Sequence, residues 1–258
     1  MEQARRDLTS SDLRLITSTQ QDILGAEGTT NDSRMFRYCS IGASNVGAGL
    51  CLNTPTSTAG YLGLNVAAAV TVTNAVDQVS STSNTLTVTN GATAITQDQF
   101  LGGNVTIISG TGAGTNYRIE GNLLAGANGV ITLTLAEPLA QSVDTTSVVN
   151  LTVNPWANLA TSTSAGSTAD NVRVAGVSTI PMAANTFGWI QTEGYGTVRS
   201  DGTAIVYQGL GLKLSGSTAG EVASATGTSD ADKQIIGIAY AHVNNSSTNW
   251  FPAYLQIY

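Results

Sequence analysis

From residue 36 onward, apolar and polar residues alternate in short runs that end at Gly, Asn, Asp or Pro. Such a period of two is typical of strands that bury one face of a sheet. Val, Ile and Thr dominate the runs, and these β-branched residues favour strands. The pattern predicts strands at 36–41, 50–52, 70–73, 85–89, 104–108, 117–120, 130–135, 148–153, 173–177, 187–192, 196–199, 210–214, 235–241 and 253–257.

Many short strands at regular spacing predict an all-β fold made of antiparallel β-sandwich or small-barrel domains. After residue 25 the sequence shows no amphipathic helix. We expect a β domain at 38–155, with an inserted β subdomain at 62–155 as an alternative division. Small polar residues predict a linker or long surface loop at 156–172, and a C-terminal β domain follows at 173–258.

Residues 1–37 differ from the remainder in holding half of the cationic residues of the chain, and the segment has no aromatic residue before Phe36. Potential helix N-cap residues precede a short apolar run at 13–16, which predicts one or two helical turns. We interpret 1–37 as an extended N-terminal arm that orders against a partner, and a frayed terminus is the alternative. Its cations, all suited to binding carboxylates, are Arg5, Arg6, Arg14, Arg34 and Arg37.

Composition narrows the class of protein. Charged residues make up only 10% of the chain against 41% hydrophobic residues, so the sequence predicts a folded protein with a surface of hydroxyls and amides. A net charge of −7 and only two lysines argue against nucleic-acid binding. No apolar run approaches the roughly 20 residues of a membrane span. The polar N-terminus does not resemble a secretory signal, so we expect folding in the cytoplasm.

Two cysteines, Cys39 and Cys51, lie twelve residues apart in neighbouring predicted strands. The spacing permits a disulfide, but free Cys is among the most buried residue types, and we favour two buried thiols. The chain has no CxxC motif and a single histidine, so we expect no metal.

Candidate catalytic groups each have a simpler structural explanation. The glycine-rich segment 110–115 precedes a strand rather than the helix that a phosphate-binding loop requires, so it predicts a hairpin turn. His242 follows an apolar strand, and no Gly-x-Ser-x-Gly motif is present. Glu120, Glu137 and Asp144 are typical of solvated strand and turn carboxylates rather than of a glycosidase pair. We predict no catalytic residue, no cofactor and no enzyme activity.

Three aromatic residues are candidates for an interface: Trp189, Trp250 and Phe251. Core packing is the favoured role for Trp189, which lies inside the apolar strand at 187–192, and an interface role is the alternative. Trp250 and Phe251 lie near the C-terminus, and the sequence leaves core and interface roles equally open for them.

Several segments of residues 31–258 together resemble one family of proteins. NDSRMFRY at 31–38, in which Ser33 stands where Gly is commoner, and LCL at 50–52 are similar to the start of the decoration, or cement, proteins of tailed-bacteriophage heads. Similar segments continue along most of residues 31–258. They are DQFLGGNVTIISGTGAGTNYRIEGN at 98–122, VITLTLAEPL at 130–139, FGWIQTEG at 187–194 and IGIA at 236–239.

The resemblance implies a virion structural protein that binds the outside of the mature phage head and cements it, commonly as a trimer. The implied partners are the major capsid protein and further copies of this chain, with the arginine-bearing arm on the capsid. We expect synthesis in the host cytoplasm and a final place on the outer surface of the virion. The alternative is a host-surface or carbohydrate-binding module of a head or tail fibre, in which Tyr195, Tyr207 and Trp250 stack on sugars.

Overall fold

The structure is a computed structural model, and it describes residues 5–54, 70–71, 82–89, 94–162, 173–226, 233–244 and 249–257. The described residues are strands and turns, apart from a single short 3₁₀ turn at Asp12–Arg14. This confirms the predicted all-β fold. No described helix is long and apolar enough to cross a membrane.

The chain divides into two compact units. Unit 1 combines residues 1–62 with 156–258, and unit 2 comprises residues 63–155. Unit 2 therefore corresponds to the alternative division at 62–155. The separate domains predicted for 38–155 and 173–258 are wrong, because strands from both ends of the chain pair within unit 1. Most of the predicted linker, residues 163–172, lies outside the described residues.

Unit 1 contains a branched sheet whose strands come from both ends of the chain. Its strands are β1 (Arg6–Asp7), β2 (Glu27–Thr29), β3 (Met35–Ser40), β4 (Cys51–Asn53), β11 (Ala160–Thr161), β12 (Val174–Ser178), β13 (Phe187–Arg199), β14 (Gly211–Leu214), β15 (Val222–Ser224), β16 (Gly237–Ala239) and β17 (Trp250–Gln256). The main order is β1-β2-β3-β13-β17-β16-β14-β15, and β12 joins β13 to β4, which also pairs with β11. All of these pairs are antiparallel except that of β1 with β2.

The long strand β13 organises unit 1. Its first half pairs with β3 and β12, and its second half pairs with β17. The change of partner falls at Glu193, which pairs with both Met35 and Gln256, and the next residue, Gly194, has a φ of +89°, in the region that glycine tolerates and other residues rarely adopt. The sequence predicted two strands, at 187–192 and 196–199, because the intervening glycines resemble a turn. The structure makes one strand with a bend there.

The described residues of the N-terminal segment belong to the sheet of unit 1. Strands β1 and β2 extend it beyond β3, while Leu8 and Phe36 are buried. These two side chains join a core cluster with Tyr38 and Trp189. Residues 5–37 therefore form an edge of the sheet of unit 1, and the ordering of this segment against a partner stays a prediction.

Unit 2 is a single antiparallel sheet with its own core. Its strands are β5 (Val70–Thr71), β6 (Thr85–Thr89), β7 (Asn104–Ser109), β8 (Asn116–Asn122), β9 (Val130–Leu135) and β10 (Val148–Thr152). They follow the order β5-β10-β7-β8-β9-β6, and the outer strands β5 and β6 approach each other, so the sheet curls toward closure. The alternating pattern of the sequence is reproduced in burial, with Leu86, Ile107, Ile119 and Leu133 pointing inward.

Candidate binding surface

The groups that the sequence analysis considered for catalysis are not assembled into a site. His242 is exposed, contacts Asn244 Oδ1 through Nε2 at 2.9 Å and packs edge-on against Tyr207. The glycines at 110–114 form the hairpin turn between β7 and β8. Among the described residues, no three His, Cys, Asp or Glu side chains are grouped closely enough to hold a metal ion.

Both cysteines are buried and unpaired, as the sequence favoured. Burial in apolar surroundings raises the pKa of the Cys51 thiol to about 12 and that of Cys39 even further. Both thiols therefore stay protonated at neutral pH and are chemically inert.

The five N-terminal arginines do not form a free cationic surface. Four of them pair with acidic residues of the same segment, namely Arg5 and Arg37 with Glu27, Arg6 with Asp12 and Asp22, and Arg34 with Asp32. Arg14 is exposed, and the structure shows no ion pair for it within the described part of the chain. Because exposed ion pairs contribute little to the free energy of unfolding, the main effect of these contacts is to fix the conformation of the segment.

The three candidate interface residues differ in their exposure. Trp189 is buried against Tyr38, with ring centroids 5.2 Å apart, and Phe251 is buried in the main core of unit 1. Both are core residues, the role favoured for Trp189 and left open for Phe251, so the interface alternative is wrong for each of them. Trp250 alternates with Phe251 along β17, points to the opposite face of the sheet and is 58% exposed.

An exposed aromatic surface lies on the outer face of β13, β17 and β16, and we call it the tyrosine face. It consists of Tyr195, Tyr254, Ile238 and Tyr240. Tyr195 lies directly opposite Tyr254, which lies opposite Ile238 on the next strand. The ring centroid of Tyr195 is 4.5 Å from that of Tyr240 and 5.6 Å from that of Tyr254.

Beside the tyrosine face, unit 1 has an open cleft of about 500 Å³. Its lining combines two exposed aromatic residues, Tyr195 and Trp250, with Gln191, Thr197 and Arg34. Gly194 lets Arg34 approach the bend of β13, because a Cβ at that position would lie 3.1 Å from both Cα and Cγ of Arg34.

Trp250 is exposed but fixed in position. Its Nε1 donates a hydrogen bond to the carbonyl oxygen of Ala48 at 3.3 Å, and a Cβ at Gly49 would meet its ring at 2.9 Å. The guanidinium carbon of Arg199 lies 5.3 Å from the centroid of the same ring. Arg199 is itself held by the buried Glu221, with 2.9 Å between Nε and Oε1.

Burial of the Glu221 carboxyl group has a free-energy cost. It is only 2% exposed, and its Oε2 has no hydrogen-bond partner among the described residues. Burial raises the pKa of its carboxyl group, the charge of Arg199 lowers it, and the charge of Asp201 raises it further. A buried acid with an unsatisfied oxygen reduces stability, and its evident structural effect is to hold Arg199 against Trp250.

Sequence reasoning identified Trp250 and Tyr195 but missed Tyr240, Tyr254 and Gln191 as members of one surface. Alternation within β17 indicates that Trp250 and Tyr254 share a face. The pairing of β17 with both β13 and β16 had no comparable local signal.

Comparison of the chain with protein-family models, with curated proteins and with solved structures finds no match.

Proposed function

We propose that this chain is a virion structural protein that binds the outer surface of the mature head of a tailed phage and cements it, as a homotrimer. The tyrosine face is the observation that carries this proposal. Exposed Tyr and Trp side chains on a rigid scaffold are the usual anchors of protein interfaces. An apolar patch of this kind on a soluble protein marks an interaction site.

The chemistry of the described residues supports a binding role over a catalytic one. The one histidine contacts an asparagine, both thiols are inert, and the carboxylates of Asp12, Asp32 and Asp144 accept hydrogen bonds from neighbouring hydroxyls or arginines. The resemblance of segments within residues 31–258 to head decoration proteins supplies the partner, the major capsid protein, and the trimeric state. Many symmetric copies on one particle would add avidity to a modest individual contact.

The tyrosine face takes over the role that the sequence analysis gave to the arginines. Arg6 and Arg37 already use their terminal nitrogens in contacts within this chain, so binding a capsid carboxylate through either of them would require breaking an existing contact. The rings of Tyr240 and Tyr254 are already ordered by contact with Tyr195, which lowers the entropy cost of binding.

Cosedimentation with phage heads tests the proposal. Heads of the phage that encodes this chain are prepared without it, in unexpanded and mature forms, and mixed with the purified protein. We expect saturable binding to mature heads alone, and a mass in analytical ultracentrifugation three times the 26.4 kDa of the chain. The double variant Tyr240→Ser/Tyr254→Ser should bind about tenfold or more weakly. Tyr207→Ser is the control, since this exposed tyrosine contacts His242 outside the tyrosine face. Absence of binding to mature heads contradicts the proposal.

A further inference from the structure

The cleft beside Trp250 has a distinctive electrostatic character. Arg34 is the one charged side chain in its lining, and the remaining polar lining is uncharged. The chain as a whole is acidic, with a net charge of −7. Asp32, which pairs with Arg34 through Nε, is not part of the lining, so the guanidinium is the charged group that a ligand in this open cleft meets, and it favours a localised negative charge.

The guanidinium of Arg34 has hydrogen-bond donors that the described residues leave unused. Its Nε donates to Asp32 Oδ2 at 2.8 Å, and its guanidinium carbon lies 5.6 Å from the ring centroid of Phe36. Its two terminal nitrogens make no hydrogen bond to any described residue. These nitrogens can therefore donate to a carboxylate, for which the planar guanidinium is well suited.

The aromatic lining is exposed and already ordered. Tyr195 is 52% exposed yet packs against two other tyrosines, and Trp250 is held by Ala48 and Arg199. Rings fixed in this way lose little entropy on binding. They present flat apolar faces, against which the C–H bonds of a sugar ring can pack.

The polar lining leaves hydrogen-bonding capacity unused. Gln191 is 1% exposed, and its Nε2 donates to the carbonyl oxygens of Glu193 and Tyr195, at 3.1 and 2.8 Å, which fixes the orientation of the amide. Its Oε1 accepts no hydrogen bond from the described residues. The side-chain hydroxyls of Thr197 and Thr179, both in the lining, are likewise unengaged within that part of the chain. Free hydroxyls and a free amide oxygen match the alternating donors and acceptors of a polyol.

We propose that this cleft binds an acidic saccharide, a sugar ring that carries a carboxylate. The carboxylate binds the terminal nitrogens of Arg34, the ring packs against Tyr195 or Trp250, and ring hydroxyls bond to Gln191 Oε1 and Thr197. The cleft volume of about 500 Å³ fits one or two sugar rings and lies within the usual range for small-ligand sites. This site is independent of the proposed head-binding surface except at Tyr195.

An acidic peptide is the rival ligand, and the lining favours the sugar. A peptide carboxylate would also bind Arg34, but its backbone would need several paired donors and acceptors, as in strand addition. The cleft offers separate hydroxyls and two aromatic faces, an arrangement that suits a ring with hydroxyls on its edge.

Ligand titrations with matched neutral controls test the inference on the full-length protein. The acidic probes are tetragalacturonate and sialyllactose, and the controls are the methyl-esterified tetramer and lactose. We expect at least one acidic probe to quench tryptophan fluorescence saturably and to bind at least about tenfold more tightly than its neutral control. The quench should vanish in Trp250→Phe, which assigns it to the cleft.

Variants identify the recognition group. Arg34→Gln should weaken binding about tenfold or more, and Arg34→Lys should have an intermediate effect because it keeps the charge but loses the planar donor pair. Arg14→Gln is the matched control, since Arg14 is exposed and remote in sequence from the cleft lining. Near-UV circular dichroism verifies that each variant is folded.

Three outcomes would overturn the inference: no binding of either acidic probe, equal affinity for an acid and its neutral control, or tighter binding of a polyglutamate peptide.

Different variants test the proposal of head binding by the tyrosine face and the proposal of saccharide binding by the cleft. Tyr240→Ser/Tyr254→Ser loosens the ring of Tyr195 but removes no lining residue, so it should weaken saccharide binding by less than Arg34→Gln does, and Arg34→Gln should leave head binding intact.

Discussion

At the scale of single residues, burial decides the chemistry of the two thiols. Cys39 and Cys51 lie in adjacent core clusters of unit 1 with no measurable exposure, and burial raises the pKa of both thiols. We expect no reaction of the native protein with Ellman's reagent at about pH 8, where an exposed thiol ionises appreciably. Both thiols should react once the protein is unfolded in guanidinium chloride. Rapid labelling of the native protein, or an intramolecular disulfide in mass spectrometry, would contradict this prediction.

The buried Glu221 should make stability depend on pH. Burial raises its carboxyl pKa above the ordinary 4.5, so the unfolded chain releases this proton at lower pH than the folded protein does. The contribution of this group to stability is therefore greatest below pH 4.5 and decreases as pH rises through the folded pKa. Glu221→Gln cannot ionise, so its free energy of unfolding relative to wild type should increase between about pH 4 and pH 7.

Urea unfolding at several pH values measures that difference. Glu120→Gln, the same substitution at an exposed position of unit 2, provides the control. A relative stability of Glu221→Gln that falls with rising pH would show that the ion pair with Arg199 outweighs the cost of burial.

At the scale of elements, the bend in β13 brings the cleft together. Gly194 combines a φ of +89° with close contact to Arg34, whereas Gly209 has a φ of +87° and open space where a Cβ would lie. Gly209→Ala should cost about 1 kcal/mol, for backbone strain alone. Gly194→Ala should cost about 2–4 kcal/mol, since strain is joined by a steric clash with Arg34. Denaturant unfolding of the pair measures the difference, and equal costs would refute the steric role of Gly194.

The sequence predicted the positions of most strands but not which strands pair with each other. Strands β6, β7, β9 and β10 begin within a residue of their predicted starts, because alternation is a local property. The short β15 was missed, and its three residues are too few to show a period. The pairing of β3 with β13 joins residues about 150 positions apart, and no pattern within either strand specifies it.

At the scale of the whole molecule, two separate cores predict two separable unfolding transitions. Unit 2 has its own hydrophobic cluster, and all three tryptophans, Trp156, Trp189 and Trp250, belong to unit 1. Tryptophan fluorescence therefore reports on unit 1, and far-ultraviolet circular dichroism reports on both units. Leu133→Ala, in the core of unit 2, should destabilise that unit by about 2–5 kcal/mol and leave the fluorescence transition unchanged.

The matched variant in unit 1 is Leu212→Ala, which removes the same side chain from an equally buried position. It should shift the fluorescence transition by a similar amount, about 2–5 kcal/mol in free energy of unfolding. If Leu133→Ala shifts the fluorescence transition as much as Leu212→Ala does, the chain unfolds as one cooperative unit and the prediction is wrong.

The sequence by itself determined the all-β class, most strand positions, the buried thiols and the sparsely charged surface. Each of these follows from composition or from local alternation, which depends only on neighbouring residues. Tertiary structure alone decided that 5–37 forms a sheet edge, that Trp189 and Phe251 are core residues, and that Arg34, Gln191 and Trp250 meet in one cleft. Those outcomes depend on strand register between distant parts of the chain, and a register is selected by the packing of the whole core.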